Sequence, residues 1–214
     1  MSAEAGTQDT YHHGDLRRAI LDAAMQLVEE GGIDGFTLRE VARRAGVSHN
    51  APYHHFEDKA AVVAALAEEG YEMLRESQLA ALDAADTYEQ RIRALGLDYI
   101  RFAAGHTARF RLMNRPELRA EGEVTAVQAA GMESEAPLLD TIVEGQQAGA
   151  FAVGDVGLLG LAAWSLVHGF ATIVVDGPMR AQVTPGPQLD SLAGGVIDVL
   201  LDGLRSRSEP SPTR

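Results

Sequence analysis

The sequence predicts an all-α protein of about nine helices, and three observations support this fold class. Apolar residues recur at helical spacing along nearly the whole chain of 214 residues, whereas strand signals are scarce. The hydrophobic fraction of 46% and the charged fraction of 23% are ordinary for a soluble globular protein with a packed core. The chain contains no cysteine, so disulfides, thiolate zinc sites and a cysteine nucleophile are excluded.

Four helices are predicted in the first part of the chain, over residues 15–30, 37–44, 48–55 and 58–81. Each begins with a side chain that can accept a hydrogen bond from a free backbone N–H: Asp15, Thr37, Ser48 and Asp58. Thr37 also has Glu40 three residues later, which is the spacing of a capping box. Gly31 and Gly32 are expected to end the first helix. Residues 1–10 are polar and are predicted to be a disordered lead-in.

Five further helices are predicted over residues 88–105, 107–114, 117–149, 155–176 and 189–205. The third of these is expected to be interrupted near Gly131 and Pro137, because neither residue favours a helix interior. The tail 206–214 contains two prolines and is predicted to be disordered. The N-terminus has no apolar run, so no secretory signal is expected and the predicted location is the cytoplasm.

The most apolar predicted helix raises the question of a membrane span. The twenty residues between Asp155 and Asp176 carry no formal charge, and this length would suffice to cross a bilayer. Glycines and polar residues dilute the hydrophobicity, and both flanks are acidic with no cluster of Lys or Arg. A helix that is apolar on all sides is otherwise buried within a protein or between subunits. We therefore predict burial and no membrane partner.

The net charge of −13 argues against a general polyanion binder, because non-specific affinity for DNA comes from neutralised phosphates. The acidity is unevenly distributed along the chain. Residues 121–204 hold eleven acids against Arg180 alone, whereas residues 35–56 hold three arginines against Glu40 alone. The overall charge therefore does not exclude a few placed contacts with nucleic acid from the first part of the chain.

Residues 37–56, with the sequence TLREVARRAGVSHNAPYHHF, contain two predicted short helices joined by a tight turn at Gly46. This arrangement predicts a helix-turn-helix, in which Ala42 lets the helices approach and Val47 fills the angle between them. The residues of the second helix that are expected to be exposed include no acid: His49, Asn50, Ala51, Tyr53, His54 and His55. Such a surface suits contacts with base edges, and a purely structural helical hairpin is the alternative.

Residues 11–74 resemble the DNA-binding region of TetR-type transcriptional regulators. The matching segments are ILDAAMQLVEEGGIDGFTLREVARRAGVS and YHHFEDKAAVVAAL. The family's pattern Tyr-x-His-Phe-x-x-Lys is present as Tyr53, His55, Phe56 and Lys59. In the second half of the chain, Trp164 followed by His168 and Gly169 is similar to the signature of one C-terminal subgroup of the family.

The resemblance implies a three-helix DNA-binding domain over residues 11–60 and a ligand-binding and dimerisation bundle over residues 61–205. It implies a homodimer, expected to be a repressor, whose recognition helices enter successive major grooves of a palindromic operator about 34 Å apart. A small-molecule effector would release the DNA by favouring a different spacing of those helices. Neither enzymatic activity nor a cofactor is expected.

The resemblance also implies which side chains meet the DNA. His49, Asn50 and Ala51 lie where the family's recognition helix meets base edges, and Asn50 can pair with adenine. The other implied DNA-binding residues are Thr37, Arg39, Arg44, Ser48, Tyr53, His54, His55 and Lys59. Pro52 departs from the family's usual aliphatic or small residue. Because Pro52 has no backbone N–H to donate a hydrogen bond to the Ser48 carbonyl, the helix is expected to start late or to bend.

Eight side chains are candidates to line a ligand cavity, with ordinary core as the alternative: Tyr99, Phe102, His106, Phe110, Met113, Met132, Trp164 and His168. Five arginines within residues 101–119 favour an anionic effector, with surface ion pairs as the alternative. The helices over 155–176 and 189–205 are predicted to form the dimer interface. The second of them repeats apolar residues at Leu189, Leu192, Val196, Val199, Leu200 and Leu204.

Three other functions are possible in principle: metal binding, ligand binding without DNA binding, and catalysis. No metal site is expected, because the histidines do not form an i, i+4 pair on one helical face. A helical ligand-binding protein without DNA-binding activity stays open, since residues 1–60 carry a net negative charge. A small enzyme would need His106 or His168 beside a carboxylate, and no spacing in the sequence supports that arrangement.

Overall fold

The computed structural model describes residues 8–118 and 124–205, with side chains from Leu16 onward. Its helices are α1 Gln8–Gly31, α2 Leu38–Arg44, α3 Lys59–Leu82, α4 Tyr88–Gly105, α5 Thr107–Met113, α6 Ala126–Gln147, α7 Val156–Val175 and α8 Pro187–Leu204. Short 3₁₀ turns lie at Ile33–Gly35, Ala51–His54 and Pro116–Leu118. Over the described residues the only β pairing is an isolated bridge between Phe151 and Arg205. The all-α prediction is confirmed, with eight α-helices in the described part of the chain.

The start of α1 differs from the prediction. The helix begins at Gln8, so residues 8–10 are helical and Asp15 lies inside the helix rather than at its cap. The predicted lead-in over residues 1–7 and the predicted tail over 206–214 lie outside the described residues. The end of α1 is as predicted, because Gly32 adopts a φ of 78°, which L side chains rarely adopt.

A second difference from the prediction concerns α6, which runs without a break through Gly131 and Pro137. Pro137 removes one backbone donor from the helix, but it is buried, as are Thr141 and Ile142 of the next turn. The Thr141 hydroxyl donates to the Pro137 carbonyl at 2.7 Å. Burial of this face outweighs the local preference against proline, so the predicted interruption is wrong.

The chain divides into two compact units, each with its own core. The first unit ends at Gly70 and also takes in described residues of the range Ala108–Gln128. The domain boundary predicted from the sequence lies earlier, at residue 60. That prediction assigns residues 108–128 to the second domain. The first unit has a core of fully or nearly fully buried apolar side chains: Ile20, Leu21, Ala24, Val28, Phe36, Val41, Ala42, Phe56, Val62 and Leu66.

The second unit is organised around α4, which packs on both α7 and α8. A capping box at its start joins Thr87 and Gln90. Gly96 allows the close approach of the three helices, because a Cβ at this position would lie 2.9 Å from Ile197 Cδ1 and 3.4 Å from a Val167 methyl. The α4–α7–α8 contact is therefore fixed by a glycine that no larger residue can replace without displacing its neighbours.

Substitution of Gly96 tests this packing. We expect Gly96→Ala to destabilise the protein by about 1 kcal/mol, because overpacking exceeds the gain in helix propensity. The measurement is the midpoint of urea unfolding followed by circular dichroism. Gly105→Ala in the same helix is the matched control, since a Cβ there meets nothing within 4 Å. A Gly96→Ala protein as stable as Gly105→Ala would contradict the packing argument.

Candidate nucleic-acid interface and ligand-site residues

The first helix of the helix-turn-helix begins at the predicted capping box. Thr37 is the N-cap of α2, and its Oγ1 accepts a hydrogen bond from the Glu40 N–H at 3.3 Å. The Glu40 carboxylate in turn accepts from the Thr37 N–H at 2.8 Å and from the Thr37 hydroxyl at 2.9 Å. These bonds fix the seven-residue helix, which is too short to be stable alone. Its buried side chains are Leu38, Val41 and Ala42.

The turn after α2 depends on Gly46. The Val47 N–H donates to the Ala42 carbonyl at 3.0 Å and the Gly46 N–H donates to the Arg43 carbonyl at 3.3 Å, which is the bonding pattern of a Schellman motif. Gly46 has a φ of 71°, and glycine adopts this left-handed conformation without the steric cost of a Cβ. The turn therefore directs the chain sharply away from α2 toward the recognition segment.

The recognition segment is a 3₁₀ turn over Ala51–His54 and not the predicted helix over residues 48–55. Pro52 explains the difference, because it lacks the N–H that would bond to the Ser48 carbonyl in an α-helix. The Ala51 N–H bonds to that carbonyl instead, at 3.0 Å. The late start expected from Pro52 is thus observed, and the predicted side-chain cap by Ser48 is wrong, since Asn50 precedes the turn and no side chain caps it.

The 3₁₀ geometry decides which side chains reach the surface. His49, Asn50 and His54 are exposed together with Ser48, and Tyr53 is 53% exposed. Ala51 is only 8% exposed and packs with buried Pro52 against the unit's core, so the expectation that Ala51 is exposed is wrong. His55 is half-buried. The exposed part of the segment still carries hydrogen-bonding and aromatic side chains without an acid.

Two of the predicted basic contacts are held by partners within the first unit. Arg44 forms a bidentate ion pair with Glu30, with N–O distances of 2.7 and 2.6 Å. This hydrogen bonding lowers the pKa of Glu30 and raises that of Arg44. Lys59 donates from Nζ to the Asp34 carbonyl at 3.2 Å and lies 4.5 Å from the centre of the Phe36 ring. Arg44 therefore joins α2 to the end of α1, whereas Lys59 is positioned at the start of α3.

Arg43 is a candidate that the sequence prediction left out. Arg39 and Arg43 are both exposed and are four residues apart on α2, so they lie on the same face of the helix. Arg44, which the sequence predicted as a DNA-binding residue instead of Arg43, points toward Glu30. The available signal was the i, i+4 spacing from Arg39, which assigns Arg43 and not Arg44 to the same surface.

The predicted ligand-site residues fall in both units. Phe110 and Met113 belong to the first unit, and the other six belong to the second. Three of the six are brought together: the Tyr99 hydroxyl is hydrogen-bonded to His168 Nδ1 at 2.8 Å, and Trp164 stacks on His168 with ring centres 4.6 Å apart. Phe102 is buried, whereas His106 is exposed and Met132 is 65% exposed. Within the described residues, no cluster of three or more His, Asp or Glu could hold a metal ion.

The helices predicted to form the dimer interface expose several large apolar side chains: Leu158, Leu161, Ile173, Leu192 and Val199. Leu189 and Leu204 belong instead to the buried core of their own unit, so these two of the six repeated positions of α8 face inward. By length and composition, α7 is the one described helix that would suffice to cross a membrane, with a mean hydropathy of 1.9. Only a third of it is buried within the chain, so its outer surface is apolar and uncovered.

Two family models match the chain. Residues 20–66 match bacterial regulatory proteins of the tetR family, and residues 92–200 match the tetracyclin repressor-like C-terminal domain. The regulator BetI of Rhizobium meliloti (strain 1021) is 35% identical over 79 residues, which are 37% of this chain and 39% of that protein. The class D tetracycline repressor protein of Escherichia coli is 42% identical over 53 residues, 25% of this chain and 24% of that one. The chain thus matches less than half the length of these curated relatives.

Solved structures extend the likeness along most of the chain. A protein of unknown function from Rhodococcus sp. RHA1 is 35% identical, with a TM-score of 0.80 over 92% of this chain and 98% of that one. The regulator FadR of Bacillus subtilis, solved in complex with stearoyl-CoA, shares the fold, with 21% identity and a TM-score of 0.71 over 88% of this chain and 99% of its own.

The family model of the DNA-binding domain matches the first part of the chain, and the model of the C-terminal domain matches the second part. The second match alone spans half of the sequence. The first of them covers α2, the turn at Gly46 and the recognition segment. The chain therefore belongs to the tetR family of bacterial regulatory proteins, a non-enzymatic class of helix-turn-helix transcriptional regulators.

Proposed function

We propose that the protein is a cytoplasmic homodimeric repressor, which binds a palindromic operator and is released from it by a small molecule. The observation that carries the proposal is the composition of one exposed surface in the first unit. This surface, here called the contact face, consists of His49, Asn50, Tyr53 and His54 with Arg39 and Arg43 of α2. It contains side chains that hydrogen-bond to bases and cations that pair with phosphates.

Within the contact face, the proposed roles follow from side-chain chemistry. Asn50 is the proposed base-specific residue, because its amide matches the donor and acceptor pair on adenine. Tyr53, His54, Arg39 and Arg43 are proposed to contact phosphates, with Arg43 taking the place first given to Arg44. His49 is a further proposed base contact, and Lys59, outside the contact face, is a further proposed phosphate contact. Thr37, Ser48 and His55 remain proposed contacts at the edges of this surface, whereas buried Ala51 supports the turn from inside.

The proposed dimer interface is the exposed apolar surface of α7 and α8. A second copy of the chain is the proposed occupant, because a self-complementary interface buries the same patch on both subunits. Two glycines of α8 support close approach of a partner helix: among the described residues, a Cβ at Gly195 or Gly203 would meet nothing within 4 Å. Glycine costs about 1 kcal/mol in a helix interior, and no packing against the described part of the chain offsets that cost at these positions.

The first test of the proposal is an electrophoretic shift with DNA from upstream of the protein's own gene. We expect Asn50→Ala to weaken operator binding by about 1–3 kcal/mol, roughly 5- to 150-fold, with little change for unrelated DNA. Arg43→Ala should weaken binding to both DNAs, because a phosphate contact carries no sequence information. Arg75→Ala, an exposed arginine of the second unit, is the matched control. Failure of the wild-type protein to shift any upstream DNA at low salt would refute the proposed function.

The second test concerns the dimer. Val199 on α8 is 69% exposed, and we expect Val199→Asp to shift the protein from dimer to monomer, because two carboxylates would be desolvated in the interface. Sedimentation velocity measures the result. Val153→Asp is the matched control, since Val153 is 90% exposed but lies outside the helices. A wild-type monomer, or a Val199→Asp protein that remains dimeric, would exclude this interface.

A further inference from the structure

Two buried acceptor atoms in the second unit find no donor among the described residues. Ser77 on α3 donates from Oγ to Asp98 Oδ1 on α4 at 2.6 Å, which joins the two helices. Within the described part of the chain, the other carboxylate oxygen, Asp98 Oδ2, accepts no hydrogen bond although it is buried. The same holds for Oε1 of Gln78, the residue after Ser77, whose side chain is only 7% exposed. Gln78 thus directly follows, on α3, the residue that donates this interhelical bond.

Unpaired acceptors in a protein interior are costly. A buried polar atom without its hydrogen bond loses its hydration without compensation, and a carboxylate loses more than an amide. Native structures leave few such atoms, and each one calls for an explanation. Burial raises the pKa of the Asp98 carboxyl above its ordinary value, and the Ser77 hydrogen bond and the charge of Arg101 oppose this rise. The protein therefore retains an acid where its fold gains little from one.

Three arginines of the run 101–119 have partners of their own. Arg101, one turn from Asp98 on α4, forms a bidentate ion pair with Asp190 of α8 at 2.8 and 2.9 Å. Arg109 donates to the Leu66 carbonyl, and Arg115 pairs with Glu117. The pairings of Arg101 and Arg115 favour the surface-pair interpretation for these two members of the arginine run, whose last member, Arg119, lies outside the described residues. They weaken the argument for an anionic effector.

We infer that Asp98 and Gln78 form the polar end of a binding site for a small organic cation with N–H donors, of which a primary ammonium is the simplest. An ammonium group offers three donors and no acceptor, so it supplies the missing bonds and balances the Asp98 charge. A carboxylate or phosphate ligand would supply no donor and would be repelled. This inference rests on the proposed ligand-regulated function, whose effector it places in one chemical class.

Calorimetric titration of the full chain with three matched probes tests the inference. Hexylammonium, 1-hexanol and hexanoate share one alkyl chain and differ in the charge of the polar group. We expect hexylammonium to bind at least about tenfold more tightly than hexanoate, as a charged hydrogen bond in a buried site is worth that factor. Asp98→Asn should reduce the affinity for hexylammonium by about tenfold and leave that for 1-hexanol unchanged.

Controls separate this site from general charge and from the proposed function. Asp140→Asn removes an exposed carboxylate of α6 in the same unit and should leave all three affinities unchanged. Thermal unfolding of Asp98→Asn verifies that the variant folds. Absence of hexylammonium binding, equal or tighter binding of hexanoate, or an unchanged affinity in Asp98→Asn would overturn the inference. Operator binding with no hexylammonium preference would refute only the inference, whereas the preference without operator binding would refute the proposed function instead.

Discussion

The contact face depends on one missing hydrogen-bond donor, the N–H that Pro52 lacks. An α-helix beginning at Ser48 would need that donor, so the backbone closes the turn through Ala51 instead, with an N–O distance of 3.0 Å. The tighter 3₁₀ winding turns Ala51 and Pro52 into the core and leaves Asn50 and Tyr53 outside. Because the turn is short, its position is set by the Schellman turn before it and by buried Phe56 after it.

The recognition turn fixed by Pro52 also matters for how a protein with a net negative charge can bind DNA selectively. The net charge of −13 disfavours non-specific association, since that association grows with the number of neutralised phosphates. One of the nearby arginines, Arg44, is already neutralised by Glu30, which leaves Arg39 and Arg43 exposed on α2. With so few cations on the contact face, base contacts by a rigidly held turn would have to contribute a large share of the affinity.

The sequence predicted two helix starts correctly where local chemistry determines them. Thr37 and Asp58 cap their helices as expected, because an N-cap bond involves residues only two or three positions apart. Local chemistry was not sufficient for Asp15, which lies inside α1, or for Ser48, whose side chain does not cap the recognition turn. Other predictions failed where distant contacts decide. Continuation of α6 through Pro137 depends on burial of that face, and the burial of Ala51 depends on the core beneath it.

In the candidate site, too, some side chains could be assigned from local sequence, whereas others depend on contacts that only the structure shows. Asn50 and Tyr53 could be named from a motif, and the i, i+4 spacing from Arg39 indicated Arg43, whereas the pairing of Arg44 with Glu30, fourteen residues earlier, is visible only in the structure. The acceptors of Asp98 and Gln78 carry no sequence signal at all. Both residues are ordinary in an amphipathic helix, and only the three-dimensional packing reveals that their oxygens lack donors.

The composition of α7 links the fold to assembly. A helix that is apolar on all sides is stable in water only where apolar neighbours cover it, and α4, α8 and Leu139 of α6 cover only part of α7. The remaining side exposes Leu158, Leu161 and Ile173, interspersed with Ser165 and Thr172, which suit a protein interface better than lipid. The exposed residues of α8 include Leu192 and Val199 together with Gly195 and Gly203, and Asp198 and Asp202 are also exposed. In the proposed dimer, the large side chains of one copy would fill the gaps left by the glycines of the other, and this packing would offset the helix cost of the glycines.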